Sequence, residues 1–395
     1  MTRSSTNPLP VNQPERLTLI RRAREVVLFN DDGGCGTPVR VDGWIERSWR
    51  RCLAQGQRPQ ASPDFTSLQQ PQLRRLLDAN RLLLQAALPV LDRLSRAIAE
   101  TRSFAILTDP SGVVLDARGA IDRSDTRADL LTRIGTDLSE STQGTTAVGA
   151  VLAEQRAVWL HRGEHFFDAN SNFSCAGAPL FGPDGRCVGV LDLTGVQTVE
   201  RPELRHLASQ FARQIENALT LGQLGGLSAS QRASSLLVRL NWAGCPLGGD
   251  NDGLVCLDAD GLVLGANQAA RQMVPQLQAH AHPGSAPLHI GDLFAMAFEI
   301  LFDAAKRPTP SLDVPLWSGL HLHAVVQQTG QLHHPIAPAN DARRPLKEVE
   351  IALIRQAVVD ARGNVLKAAR ALGVSRATVY RRLGNYLAKP DKNAT

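Results

Sequence analysis

The last fifty residues constrain the chain most, because apolar period, helix breakers and charge all agree there on one small architecture. Leu346, Val349, Leu353, Ile354, Ala357 and Val358 recur at helical spacing and predict a first helix with one broad apolar face. Gly363-Asn364 breaks that helix and restarts it, with Asn364 placed to cap the new N-terminus. Val365, Ala368, Ala369 and Leu372 fall at i, i+3, i+4 and i+7, so a short second helix has a small inner face that permits close packing. Gly373 supplies a turn, and Ser375 caps a third helix over 375–387. On that helix Val379, Leu383 and Tyr386 point to one side as core. Ala377, Thr378, Arg381 and Gly384 lie opposite, flanked by Arg376, Tyr380 and Arg382.

Such a face suits duplex DNA. Small residues allow close approach to a groove, while arginines take guanine edges or phosphates. An ordinary three-helix bundle with a solvated basic face is the plainer alternative, and the charge distribution argues against it. Residues 341–395 hold 12 Lys/Arg against 5 Asp/Glu, a net of +7, whereas the whole chain is +5. The preceding 340 residues therefore net about −2, and the basic charge is concentrated where the helical pattern lies.

The residues Leu346, Gly363-Asn364, Ala368-Ala369-Arg370, Leu372-Gly373-Val374-Ser375-Arg376, Thr378-Val379-Tyr380-Arg381 and Leu383 resemble the Fis-type helix-turn-helix that closes many bacterial enhancer-binding regulators. The DNA-facing set expected on this motif is Asn364, Ser375, Arg376, Ala377, Thr378, Tyr380, Arg381 and Arg382. Arg376 and Arg381 are expected to make the main contacts.

A length of 395 residues suggests two or three domains, and 43% hydrophobic content is ordinary for globular protein. No apolar run approaches a membrane span, and the polar first 15 residues lack a signal-peptide core. A cytoplasmic location is the expectation. The six cysteines show no CxxC spacing, so they read as thiols, without a disulfide framework, metal site or cofactor. His161 and His165 near Cys175, and His321 with His323, offer imidazole and thiolate donors, but the spacing completes no ligand set.

In chain order, residues 1–70 read as a tail and a helical region centred on 45–52, and 71–102 as an amphipathic helical lead-in that Pro89 should kink or divide. Residues 103–200 change texture to two hairpins around helical segments, turning at Asp109-Pro110-Ser111-Gly112 and Gly182-Pro183-Asp184-Gly185. Residues 201–247 read as connecting helices, including a short one over 228–242. Within them Leu204, Ala208, Phe211, Ile215 and Ala218 form a short heptad-like seam. Residues 248–330 repeat the strand, Asp-Gly turn, strand and helix order, 331–344 form a linker, and 345–390 the helix-turn-helix. The fold class is thus multidomain: two α+β sensor-like domains and an all-α C-terminal domain.

The stretches 45–52, 135–140, 144–149, 163–166, 173–175 and 189–195 resemble a GAF domain. More narrowly they resemble the sensor of the acetoin/glycerol-metabolism activator family. That resemblance implies an unidentified small-molecule effector over the sheet, placed by position in the motif against Trp159, His165, Phe166, Phe173 and Cys175. Residues 253–270, with Asn267-Gln268-Ala269-Ala270, resemble the opening of a PAS domain.

The family named by both ends usually carries a central ATPase, which needs a Gly-rich loop ending in Gly-Lys-Ser/Thr. The five lysines, Lys306, Lys347, Lys367, Lys389 and Lys392, follow no such loop. Regulation without ATP hydrolysis is the expectation, with double-stranded DNA, the effector, a second copy in a homodimer and RNA polymerase as partners. The rival reading is an enzyme: some GAF proteins reduce free methionine sulfoxide with pocket cysteines, and Cys175 and Cys187 suit that or another thiol redox activity.

Overall fold

A computed structural model describes residues 13–29, 41–65, 67–279, 286–307, 311–329 and 365, 366 and 369. The chain divides into two compact units, Met1–His333 and His334–Thr395. The first opens with α1 (Gln13–Arg24), which runs into a π-helical turn, Glu25–Phe29. The helix thus begins inside the stretch expected to be a tail. Then follow α2 (Gly43–Ala54), α3 (Gln70–Ala79) and α4 (Arg81–Ala97). α4 runs through Pro89 without dividing there, and the chain divides at Asn80. Asn80 sits at φ −98°, ψ 15°, and its side chain donates to the Leu76 carbonyl, so it ends α3 before the proline is reached.

A five-stranded antiparallel sheet comes next, from β1 (Ser103–Thr108), β2 (Val114–Gly119), β3 (Val158–His161), β4 (Phe173–Phe181) and β5 (Cys187–Val196), in the order β2-β1-β5-β4-β3. Short helices α5 (Thr126–Leu131), α6 (Glu140–Gln143) and α7 (Ala147–Glu154) fill the connection from β2 to β3. The turn chemistry is local. Asp109 Oδ1 accepts from the amides of Ser111 and Val113, and Gly112 takes the φ of +90° that closes the β1–β2 turn.

The second sheet follows α8 (Leu204–Gly225) and α9 (Ala229–Ser234). It contains β6 (Leu236–Trp242), β7 (Gly253–Leu257), β8 (Val263–Ala266), β9 (Leu312–Pro315) and β10 (His321–Gln328), ordered β8-β7-β6-β10-β9. Helices α10 (Gln268–Met273), α11 (Gln276–Ala279) and α12 (Glu299–Lys306) cover it. Asp258 Oδ1 repeats the Asp109 device on the amides of Asp260 and Leu262. Asn267 caps α10 through the Ala270 amide. The stretch expected to be helical over 228–242 is half strand: β6 is the central strand of this sheet, and Leu236, Leu237 and Val238 are buried on both faces.

Helix α8 serves both sheets. Leu204, Ala208, Ala212 and Ile215 pack with α4 over the first sheet, while Leu224 packs on Leu237, Leu254 and Cys256 of the second. Leu204, Ala208, Phe211 and Ile215 of its apolar seam are therefore core packing. The β4–β5 turn also meets the second sheet: the Pro183 carbonyl accepts from the Ala266 amide at 2.9 Å and from Arg271 Nη2 at 2.6 Å.

In the second unit, Val365, Leu366 and Ala369 are helical and Ala369 is buried. The expected DNA-facing residues Asn364, Ser375, Arg376, Ala377, Thr378, Tyr380, Arg381 and Arg382 lie outside the described residues.

Candidate functional site

Strand alternation sorts the first sheet into two faces. Across it, Phe104, Thr194, Cys175 and Leu160 form one row and Ile106, Asp192 and Gly177 the next. The side chains of both rows face the α2, α5 and α7 side. The row between them, Ala105, Leu193, Ala176 and Trp159, faces α4 and α8. Gly177 lets α7 approach closely: a Cβ there would sit 2.8 Å from Val151 Cγ2 and 3.1 Å from the Ala147 carbonyl.

Between this face and α5 and α7 lies a cavity with about 30 Å³ of free interior. Its walls include Ile106, Leu131, Leu138, Ala147, Val148, His165, Asn170, Phe173, Cys175, Asp192 and Thr194. Its lining is mainly apolar, with one polar seam. Thr194 donates its hydroxyl to Asp192 Oδ2 at 2.6 Å, Cys175 Sγ lies 3.3 Å from Thr194 Oγ1, and His165 Nε2 lies 3.4 Å from the same sulfur. His165 Nδ1 faces the Arg162 carbonyl at 2.8 Å. A carbonyl can only accept, so Nδ1 carries the proton and Nε2 is the acceptor. Burial holds the His165 imidazole neutral, down to about 4, and pushes the Asp192 carboxyl up to about 7.

The loop carrying His165 is fixed from the N-terminal helix. Buried Arg24 donates to the carbonyls of Gly163, His165 and Phe166 and to Asp168, and lies 5.7 Å over the Trp49 ring. Arg16 pairs with buried Glu164 at 2.7 Å, and Trp49 donates to the Glu164 carbonyl. Glu164 reaches back to the His161 amide; burial pushes its carboxyl up to about 7 even though Arg16 opposes the shift. The motif segments that are distant in sequence meet here as well. On α2, Ser48 donates to Glu140 at 2.6 Å and Arg51 grips the same carboxylate with two nitrogens at 2.7 and 2.9 Å.

Of the residues expected to line an effector pocket, the structure brings His165, Phe173 and Cys175 onto the cavity wall. Phe166 lies on the same side of the sheet, buried against Gly144 and edge-on to Phe167, away from the wall. Trp159 does not join them. It pairs with Ala176, one residue out of phase with Cys175, so its side chain belongs to the opposite face. Asp192, Asn170 and Thr194 were missed. The signal for Asp192 was a lone carboxylate inside the apolar run Val188-Gly-Val-Leu-Asp-Leu193.

The cysteines proposed for redox work stand apart. Cys175 pairs with Thr194 and Cys187 with Phe181, six positions away along β4, or about 20 Å at the strand rise. Burial pushes both thiols up, Cys175 strongly. His161 turns its Nδ1 to Ser174 at 2.9 Å, away from His165 and Cys175, and exposed His321 pairs with Asp313. No helix among the described residues is long and apolar enough to cross a membrane.

Two family models match the chain: "MimR, N-terminal domain" over residues 17–217 and "Bacterial regulatory protein, Fis family" over residues 345–386. The acetoin catabolism regulatory protein of Cupriavidus necator is 29% identical over 326 residues, 80% of this chain and 46% of that protein. The propane 2-monooxygenase operon transcriptional activator MimR of Mycolicibacterium goodii is 32% identical over 202 residues, 50% of this chain and 33% of that protein. The chain thus spans less than half the length of these relatives. Among solved structures, the E. coli DhaR(N)–DhaL complex aligns over 72% of this chain and 99% of that one, with a TM-score of 0.43 and 17% identity.

Proposed function

Since the chain belongs to the MimR N-terminal domain family, we propose that it is a ligand-responsive transcriptional regulator. In this reading the first sheet with its helices is a GAF-type sensor and the second sheet a PAS-like module. Residues 345–390 form the DNA-binding helix-turn-helix. The observation that carries it is the conjunction, in one chain, of a sensor-family match enclosing a cavity and a Fis-family segment in a stretch of net charge +7. The effector occupies the cavity against His165, Phe173 and Cys175. Phe166 supports the wall from behind, and Trp159 holds the sheet's other face. The related proteins named above are regulators, which supports the same assignment.

The protein works as a homodimer in the cytoplasm, presenting two recognition helices to half-sites about 34 Å apart or a multiple of that. Arg376 and Arg381 take the main base or phosphate contacts; Asn364, Ser375, Ala377, Thr378, Tyr380 and Arg382 surround them. It regulates without hydrolysing ATP, since none of its five lysines follows a glycine, and acts by occupying DNA and contacting RNA polymerase. The separation of Cys175 from Cys187 and their raised thiols favour this reading over a thiol redox enzyme.

The test is binding of the full chain to promoter fragments selected from a random pool, measured across salt. Affinity falls steeply with salt, and Arg381→Ala weakens the selected site by about 1–3 kcal/mol. Salt-insensitive binding, or an Arg381→Ala variant with unchanged affinity and preference, overturns the assignment.

A further inference from the structure

One buried acceptor on the cavity wall is unmet. Three of the wall's donors are engaged: His165 Nδ1–H goes to the Arg162 carbonyl, the Cys175 thiol reaches His165 Nε2, and the Thr194 hydroxyl goes to Asp192 Oδ2, while Asn170 Oδ1 accepts from Arg127. Thr146 caps α7 at the Gly149 amide and donates to the Leu138 carbonyl. Among the described residues on the wall, Asp192 Oδ1 alone is a buried side-chain oxygen without a partner, on a side chain 3% exposed. A buried acceptor left unmet is costly, which makes it a place where a bound molecule gains.

We propose that Asp192 is the specificity-determining residue of this site, its free Oδ1 accepting a hydrogen bond from the hydroxyl of a small neutral ligand. The inference rests on the sensor reading above and adds the chemistry of what is sensed. An anionic ligand is rejected, because no lysine or arginine lines the cavity and the free group is itself an oxygen acceptor. A primary ammonium brings three donors to a wall with one free acceptor, leaving two N–H groups desolvated and unpaired. A hydroxyl brings one donor, matching the count. The free interior of about 30 Å³ has room for two or three water-sized groups, so the ligand is a short chain of only a few non-hydrogen atoms. Its apolar end lies against Ile106, Leu131 and Val148.

Four probes of similar size separate these requirements: 1-propanol, propionitrile (an acceptor without a donor), propylammonium and propionate. Saturation-transfer NMR titrations on the full chain, at a pH where the carboxylate is ionised, give 1-propanol at least tenfold tighter than each of the others. Asp192→Asn keeps an acceptor for Thr194 and turns an amide donor toward the cavity. It weakens 1-propanol at least tenfold and brings propionitrile to equal or tighter binding. That inversion is a readout that general loosening of the wall would not produce, and the wild-type series stands even where the variant fails to fold. Equal binding of 1-propanol and propionitrile, tightest binding of propylammonium, or an unchanged 1-propanol affinity in Asp192→Asn overturns the role of Asp192 while leaving the cavity a ligand site. Saturable binding by none of the four overturns the sensor reading together with it.

Discussion

Arg24 ties the N-terminal helix to the His165 loop, and its removal has a calculable local cost. Its guanidinium donates to three backbone carbonyls and to Asp168, and it is 8% exposed. Hydrogen bonds from a charged donor contribute about 1.5–3 kcal/mol each. Water replaces part of this once the loop opens, because Asp168 is about half exposed, so Arg24→Ala should cost about 3 kcal/mol locally. At about 1.4 kcal/mol per decade, the opening equilibrium of the loop rises roughly a hundredfold. Hydrogen exchange of the full chain reads this directly. The amides of Asp168, Asn170 and Ser171 are bonded to the carbonyls of Pro59, Phe167 and Asp168 and should lose that protection. Amides of β1 and β5 should keep theirs. Unchanged exchange at 168–171, or an equal loss across the sheet, would refute the view of Arg24 as a local clamp.

Gly177→Ala forces a methyl against Val151 and the Ala147 carbonyl. It should lower stability by about 1–2 kcal/mol, read as a fall in Tm, despite the usual gain from replacing a strand glycine. Glu140→Ala releases Ser48 and both nitrogens of Arg51 and should cost about 2 kcal/mol, with proteolytic nicking appearing first near α2; resistance equal to wild type would count against it. Burial in α8 pushes Glu216 up to about 8, opposed by the Phe181 amide it accepts from. Its folded value lies above the unfolded one near 4.5, so the protonated acid costs nothing extra below that pH. Stability is then lost as pH rises toward 8, by up to about 1.4 kcal/mol per unit. Glu216→Gln should flatten the decline of Tm between pH 5 and 8; an identical slope in variant and wild type would contradict it.

Much of the fold is legible in the sequence because its turns are chemically explicit. Asp109 and Asp258 bond their own turns, and Gly112, Gly185 and Gly261 take the left-handed φ the turns demand, so each hairpin announces itself. Strand β6 carries no such mark. It is buried on both faces as a central strand, which removes the alternation that identifies an edge, and its leucines equally suit a helix. Pro89 marks a point where a helix kinks or divides, and α4 does not divide there; Leu91 and Leu94 just beyond it are fully buried. The site was half legible. His165, Phe173 and Cys175 come from motif position, but excluding Trp159 requires the β3–β4 register, which local pattern does not supply. Asp192 needs the cavity itself, because only enclosure turns a strand carboxylate into an unmet acceptor.

The grip on Pro183 has an evolutionary corollary. The Ala266 amide of β8 and the Arg271 side chain of α10 both hold a main-chain oxygen, and close approach is permitted by Gly265, where a Cβ would lie 2.8 Å from the Pro183 ring. The joint therefore reads the path of the β4–β5 turn more than its side chains, the Asp184 carboxylate that attracts Arg271 excepted. Substitutions elsewhere in that turn can drift freely provided its length and trajectory persist, whereas bulk added at position 265 would pry the two sheets apart. Chimaeras that graft a foreign first sheet onto this second one should depend on that loop's geometry together with the packing of Leu224 from α8.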